Sequence, residues 1–353
     1  MQIFDNRRYL DSLTGAISGN GDILRLSGKS LLITGATGMI GSCLVDMLIC
    51  YNRINKENKC RIYAMNRNSL AAKKRFEYCN EEDCVYFIEG DVSEDLPELP
   101  EKTDFIIHAA SNADPVRMAL YPVNTLLANV NGTKNLIEYG MAHGMERFLY
   151  VSSGEMYGQP DEQLSDFTED YCGPINHAVP RACYPAGKRA AEVLCQSYIS
   201  QYGIDAVIVR PCHIFGPTMK LTDSRALAEF FRNAVNGERI QLKSAGLLER
   251  SHCYSIDAVN AMLYVLLRGK SGEAYNIADR NNQMRIRDFA QILSEIAGTE
   301  LCFVSPNDVE AKGYSASSRM VLSEDKLQAL GWTPLFCGNK SIEDTYFILK
   351  EIS

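Results

Sequence analysis

The chain has 353 residues, 46% hydrophobic, 9% aromatic and 23% charged, an ordinary globular composition long enough for one two-lobed unit or two domains. A formal net charge of -8 speaks against the clustered basic surface that nucleic-acid binding needs, though it leaves room for a local basic pocket. The start, MQIFDNRRYLDSL, has early charges and no apolar signal region, and no apolar run approaches the ~18 residues of a membrane span, so a cytoplasmic protein with neither membrane nor nucleic-acid partners is expected.

Residues 1–28 form an N-terminal extension, in which DNRRYLDSLTGAI reads as a short amphipathic helix and SGNGD as a break. Beyond it, the apolar runs LLIT, RIYAM, VYFIEG, DFIIHAA, RFLYVSS and DAVIVRP alternate with helical stretches such as IGSCLVDMLICYN and TLLANVNGTKNLIEYGMAHG. Near-continuous apolar strands alternating with helices predict an α/β fold: a Rossmann-type, doubly wound parallel sheet that binds ligands at the carboxyl ends of its strands. This dinucleotide-binding part is expected over 29–210 and again over about 253–280, where EAYNIA reads as a further strand. Residues 211–252 and 281–353 read as a smaller C-terminal substrate lobe. It holds the loops GPTMKLTDS, SAGLLERSH and PNDVEAKGYSASSR and the amphipathic helix MRIRDFAQILSEIAG. The twelve cysteines include no CxxC pair and lie near no His cluster, so reduced, mostly buried thiols and no metal site are expected.

Three motifs carry chemistry. TGATGMIGSCL places Gly35, Gly38 and Gly41 after a strand and at the head of a helix. Such glycines allow a tight turn and close approach of backbone to a pyrophosphate at the positive helix end. The second strand ends in Asn66 and Arg67 with no acid for a ribose 2′-hydroxyl. Arg67 therefore either meets the 2′-phosphate of NADP, or stacks on adenine or faces solvent. CYPAGKRAAEVL sets Tyr184 and Lys188 four apart on one helical face, with Pro185 tolerated in the first turn. A phenol of pKa ~10 is a weak base at neutral pH. A cation ~4 Å away contributes about 4 kcal/mol at an effective dielectric near 20, enough to lower it by about three units. Lys188 and an oxidised nicotinamide are two such charges. VSSGEMYG ends a strand with Glu155 between Ser153 and Tyr157, where a carboxylate is costly unless used or paired.

Together with GDV (90–92), HAAS (108–111), NVNGT (129–133), RPCHIFGP (210–217), GEAYNIA (272–278) and LGWTP (330–334), these motifs resemble the extended short-chain dehydrogenase/reductases, the NAD-dependent epimerase/dehydratase group acting on nucleotide sugars. The resemblance spans about residues 28–350 and favours NAD as cofactor. It implies that Ser153 and Tyr184 bind the sugar 4-hydroxyl, with Tyr184 the base, and that Lys188 holds the cofactor ribose. It assigns cofactor contacts to Gly35, Thr37, Gly38, Met39, Ile40, Gly41, Asn66, Arg67, Asp91, Val92, Ala109, Ala110, Ser111 and Pro211, besides Tyr184 and Lys188. Asn129 matches a structural asparagine, and Arg250 and Arg319 match arginines that grip the nucleotide's phosphates.

In the sugar 4,6-dehydratases a glutamate at position 155 removes the C5 proton, and an acid before it protonates the departing 6-hydroxyl; here that residue is Gly154. UDP-glucuronate decarboxylases carry a small residue followed by glutamate, and PRACYPAGKRAAE resembles their Tyr-Lys helix. The resemblance therefore implies a UDP-glucuronate decarboxylase-like enzyme working through transient oxidation at C4. A 4,6-dehydratase or epimerase follows, then a net NADPH-dependent reductase, and last a non-enzymatic dinucleotide-sensing scaffold. The chain departs from the family pattern at His213 and Phe215, where asparagine and tyrosine are usual, and at Pro185 and Ala186. His213 either binds a substrate phosphate or hydroxyl, or packs structurally. In the family, helices matching YPVNTLLANVNGTKNLIEYG and GKRAAEVLCQSYISQYG pair across a two-fold axis, so a homodimer is expected.

Overall fold

The structure is a computed structural model that describes residues 1–99, 102–161, 164–305 and 319–353. Residues 306–318, most of the expected loop PNDVEAKGYSASSR, lie outside the described residues. The first half alternates as the sequence predicts. After α1 (Arg7–Gly19) come β1 (Ser30–Thr34), α2 (Met39–Ile54), β2 (Arg61–Asn66), α3 (Ser69–Arg75), β3 (Val85–Glu89), β4 (Phe105–His108), α4 (Pro115–Leu120), α5 (Pro122–Ala142), β5 (Arg147–Val151), α6 (Cys183–Tyr202) and β6 (Ala206–Pro211).

The second half is more broken. It runs through β7 (His213–Phe215), α7 (Ala226–Val235), β8 (Ile240–Leu242), β9 (Glu249–Tyr254), α8 (Ser255–Arg268), β10 (Ala274–Ile277), β11 (Asp279–Arg285), α9 (Ile286–Ala297), β12 (Leu301–Phe303) and β13 (Arg319–Met320), and ends in a helix over Asn339–Ile352. MRIRDFAQILSEIAG is thus not one helix: Met284 and Arg285 finish a strand, paired with Arg250 and Glu249, before α9 begins.

Seven strands form one sheet in the order β10-β6-β5-β4-β1-β2-β3, and every pairing in it is parallel. The order reverses between β1 and β4, so the carboxyl ends of these two strands open a crevice there. All five residues of β1 are buried, as both-face coverage of a parallel strand demands. A smaller sheet centres on β9, which pairs antiparallel with β11 and parallel with β13 and β7. One residue, Cys212, separates the last strand position of β6 from the first of β7, so the chain steps straight from the large sheet to the small one.

The extension belongs to the core. Tyr9, Leu13, Ala16 and Ile17 of α1 are buried in the same cluster as residues of α2 and α8. Beneath them the carboxylate of Asp46 accepts hydrogen bonds from Tyr9 Oη (2.6 Å), Arg75 Nη2 (2.6 Å) and the Tyr78 hydroxyl. Phe4 stacks on Tyr78 at 4.5 Å. All twelve thiols are free, but only Cys43, Cys50, Cys60, Cys195 and Cys253 are buried. The expectation of mostly buried thiols is therefore corrected, because several sit on loops and helix flanks. Among the described residues, no helix is long and apolar enough to cross a membrane, and no cluster of three or more His, Cys, Asp or Glu could hold a metal.

Candidate active site

A cavity of about 580 Å³ opens where the large sheet meets the small one. Its wall includes Met39 and Ile40 from the head of α2, Ala109 and Ser111 after β4, Ser153 and Glu155 after β5, Tyr184 and Lys188 of α6, Pro211, His213 and Arg250.

The glycine turn is shaped for close approach. Gly35 has φ +69°, and a Cβ there would lie 2.8 Å from the Ala110 Cα. A side chain on Gly41 would collide with the Gly35 carbonyl. Gly38 caps α2 without any side-chain bond to its first amides, which remain available to an anion. At the end of β2, Asn66 Oδ1 accepts from the Asn68 amide (3.1 Å), while its buried Nδ2 has no partner among the described residues. Arg67 is exposed. The neighbouring strand delivers an acid that sequence reading overlooked: Glu89 pairs in register with Asn66 and accepts from the Ser69 amide (3.0 Å).

Asp91 Oδ1 accepts from the Ser93 amide (2.9 Å), Val92 packs under Gly132, and Ser111 donates to Asn129 (3.0 Å). Thr37 lies in the turn between β1 and α2, and the Ala110 amide donates to Thr34 Oγ1 (3.2 Å). A clash-free glycine cradle, uncapped helix amides and an orphaned amide at the ribose end together fit a dinucleotide.

Tyr184 and Lys188 occupy one face of α6, with the ammonium 5.7 Å from the Tyr184 ring centre and 4.9 Å from that of Tyr150. Lys188 Nζ donates to the Val151 carbonyl (2.8 Å). Burial lowers the Lys188 pKa to about 7, with Glu192 opposing. Burial raises Tyr184 to about 12, helped by the Glu155 carboxylate and opposed by the Ser153 hydroxyl, Arg225 and Arg181. Among the chain's own groups desolvation thus dominates at the phenol, and near neutrality Lys188 is only part-charged.

Ser153 caps a single 3-10 turn, Gly154–Tyr157, by accepting from the Glu155 amide (3.2 Å). Among the described residues, the Glu155 carboxylate is held by an arginine rather than by loop amides. Both its oxygens accept from Arg181 Nη2, at 2.8 and 3.0 Å. Gly154 is buried, and a Cβ there would come within 3.2 Å of Leu322 Cδ1 and 3.5 Å of Met320 Sδ.

Toward the small sheet, Arg250 is 2% exposed and burial lowers it to about 10, with Glu155 opposing. His213 pairs in register with His252, and its buried Nδ1 has no partner among the described residues. Burial, then Arg250 and His252, hold it well below the ordinary histidine range, so it is neutral. Arg319 does not join them. Neighbouring residues of a strand face opposite ways, and on β13 it is Met320 that lines the cavity. Arg319 instead bonds Glu249 (3.0 Å) and Asp166 (3.0 Å). The cations that do line the cavity and were missed from sequence are Arg181, Arg225 and Lys243. Arg181 stood in the quoted PRACYPAGK stretch, one helical turn before Tyr184; the other two sit in loops without local signal.

Comparison with known proteins agrees with this architecture. Residues 31–278 match the NAD dependent epimerase/dehydratase family. The chain is 29% identical over 327 residues to UDP-glucuronic acid decarboxylase 1 of Xenopus tropicalis, covering 92% of this chain and 73% of that one. It is 31% identical over 314 residues to UDP-glucuronic acid decarboxylase 6 of Arabidopsis thaliana, covering 87% and 85%. The fold matches that of a dTDP-glucose 4,6-dehydratase from Streptomyces venezuelae, crystallised with NAD and TYD, with a TM-score of 0.78 at 24% identity over 91% of this chain and 97% of that one.

Proposed function

Because the chain belongs to the NAD dependent epimerase/dehydratase family, whose relatives are nucleotide-sugar enzymes, we propose that it is a UDP-glucuronate decarboxylase-like enzyme. The observation that carries this reading over dehydration is Gly154. Elimination of a 6-hydroxyl needs a proton donor there, and Gly154, on the cavity wall, carries no side chain to supply one. Decarboxylation needs no such donor.

In this reading Met39, Ile40 and the amides at the head of α2 hold the pyrophosphate of NAD, and Asn66 faces the adenosine ribose. Bound there, NAD supplies a hydride acceptor for C4 and a positive charge beside Tyr184. Tyr184 takes the proton of the 4-hydroxyl while Ser153 donates a hydrogen bond to the same oxygen. With C4 a ketone, the C6 carboxylate is a β-keto acid: the C5–C6 bond breaks, CO2 leaves, and the electron pair spreads over C5 and the C4 oxygen. Tyr184 and Ser153 stabilise that enolate oxygen. C5 would take a proton from water in place of the departed carboxylate, the hydride held by the cofactor would go back to C4, and Tyr184 would return its proton to the C4 oxygen, completing the pentose. Arg250 and neutral His213 bind the diphosphate or sugar from the small sheet. The exposed apolar side chains Val123, Leu126, Leu127 and Val193 on α5 and α6 support a homodimer through those helices.

The test is mass spectrometry of products from a panel of UDP, dTDP, CDP and GDP hexoses and hexuronates, with the bound dinucleotide identified alongside. CO2 and a UDP-pentose from UDP-glucuronate, without net consumption of NADH or NADPH, is the expected result. A dehydrated or C4-inverted hexose would instead establish one of the sister reactions, and stoichiometric loss of NADPH would establish a reductase.

A further inference from the structure

Arg181 lies in the 3-10 turn Pro180–Ala182, which runs directly into α6. It therefore travels with Tyr184 as one rigid stretch. Its Nη2 donates to both oxygens of Glu155 at 2.8 and 3.0 Å, and the two side chains are 18% and 25% exposed. Both line the cavity beside Tyr184 and Ser153. Glu155 is fixed from its other end, where its amide donates to Ser153 Oγ.

The charged and titratable groups acting on the phenol come from several elements. Tyr150 lies on β5, and Ser153 and Glu155 follow that strand. Arg181 and Lys188 belong to its own stretch, and Arg225 precedes α7. Glu155 is the anion among them. Two like charges in one closed site oppose each other's ionisation. The site nevertheless keeps both an acid and a phenol whose work is to lose a proton.

We propose that Arg181 is a positioning residue that cancels the charge of Glu155 toward Tyr184, so that a carboxylate and a phenolate can coexist in one cavity. Only the chemical purpose of that coexistence rests on the proposed nucleotide-sugar reading; the charge pairing does not. Arg181 touches neither the reacting hydroxyl nor C5 in this scheme. It acts by setting its positive charge against that of Glu155 in the field at the phenol.

The test follows the Tyr184 phenol itself, by the NMR signal of isotope-labelled tyrosine in the full-length protein saturated with NAD, assigned by its loss in Tyr184→Phe. No sugar is needed, so a failed sugar panel leaves the measurement intact. Relative to the parent, Arg181→Gln should move the titration midpoint up by about one pH unit or more, and Glu155→Gln should move it down. Because the two charges offset each other at the phenol, Arg181→Gln/Glu155→Gln should return close to the parent, and Arg181→Lys should stay near the parent. A merely structural arginine would give no such rescue. Should Arg181→Gln fail to fold, the double variant and Arg181→Lys decide. A double variant that stays at the raised Arg181→Gln midpoint or falls to that of Glu155→Gln alone, or an Arg181→Lys midpoint raised by about one unit, overturns the proposal, as does a parent midpoint unmoved by Glu155→Gln.

Discussion

Tyr9 of the N-terminal extension donates a 2.6 Å hydrogen bond to the carboxylate of Asp46, a residue of α2 with no solvent exposure. A buried charge must be matched, and here part of the match comes from a segment ahead of the sheet. Tyr9→Phe should lower stability by about 1.5–3 kcal/mol, the usual worth of a hydrogen bond to a charged group. The measurement is the urea midpoint at unchanged slope. An unmoved midpoint would show that Arg75 and Tyr78 satisfy Asp46 without it.

Lys188 titrates at about 7 in the folded chain against an ordinary 10.5. Between those values the unfolded chain binds a proton that the folded chain lacks, so this group's contribution to stability rises with pH across that window. Below about 7 its contribution no longer changes. Subtracting the pH–stability profile of Lys188→Met from that of the parent should leave a curve climbing from pH 7 toward 10. A level difference would mean that the ammonium is not desolvated as its contacts imply.

Gly154→Asp supplies the acid of a dehydratase at a point of the cavity wall where Leu322 must give way slightly to seat it. The new Cβ meets Leu322 and Met320, and the carboxylate would enter an apolar cluster containing both. The variant should lose about 1–3 kcal/mol of stability and form no 4-keto-6-deoxy sugar from dTDP-glucose. Appearance of that product would show that one residue separates the two chemistries here.

Arg250 and Arg319 should separate kinetically. Arg250 lines the cavity and Arg319 is engaged by Glu249 and Asp166 outside it. Arg250→Ala is expected to raise KM for the nucleotide sugar by about tenfold or more, because truncating a buried charge that binds phosphate costs about 2 kcal/mol or more. Arg319→Ala is expected to change it by less than about threefold. Equal losses would move Arg319 into the substrate site.

What was legible in the sequence was local. Gly35, Gly38 and Gly41 announce their turn because each must lack a side chain, and the four-residue step from Tyr184 to Lys188 guarantees a shared helical face. The strands of the large sheet declare themselves as apolar runs because both faces are buried. The three-residue strand β7 and the two-residue β13 are too short to show any period, so their places in the small sheet were not legible. The pairing of Arg181 with Glu155 joins residues 26 apart and depends on how a 3-10 turn meets a helix. The wrong face of Arg319 follows from its register with Glu249, which no local pattern encodes. The phenol's high pKa has the same origin: desolvation is a sum over every element that closes the cavity.

The edge strand β10 joins the large sheet only beside β6, after the chain has already visited the small sheet through β7 and β9. During synthesis the large sheet therefore cannot be finished when β6 leaves the ribosome; it waits, with an open apolar border, until about residue 280 has emerged. The two sheets are sewn together by three crossings of the chain, β6 to β7, β9 to β10 and β10 to β11, so neither can be cut out by truncation and kept whole.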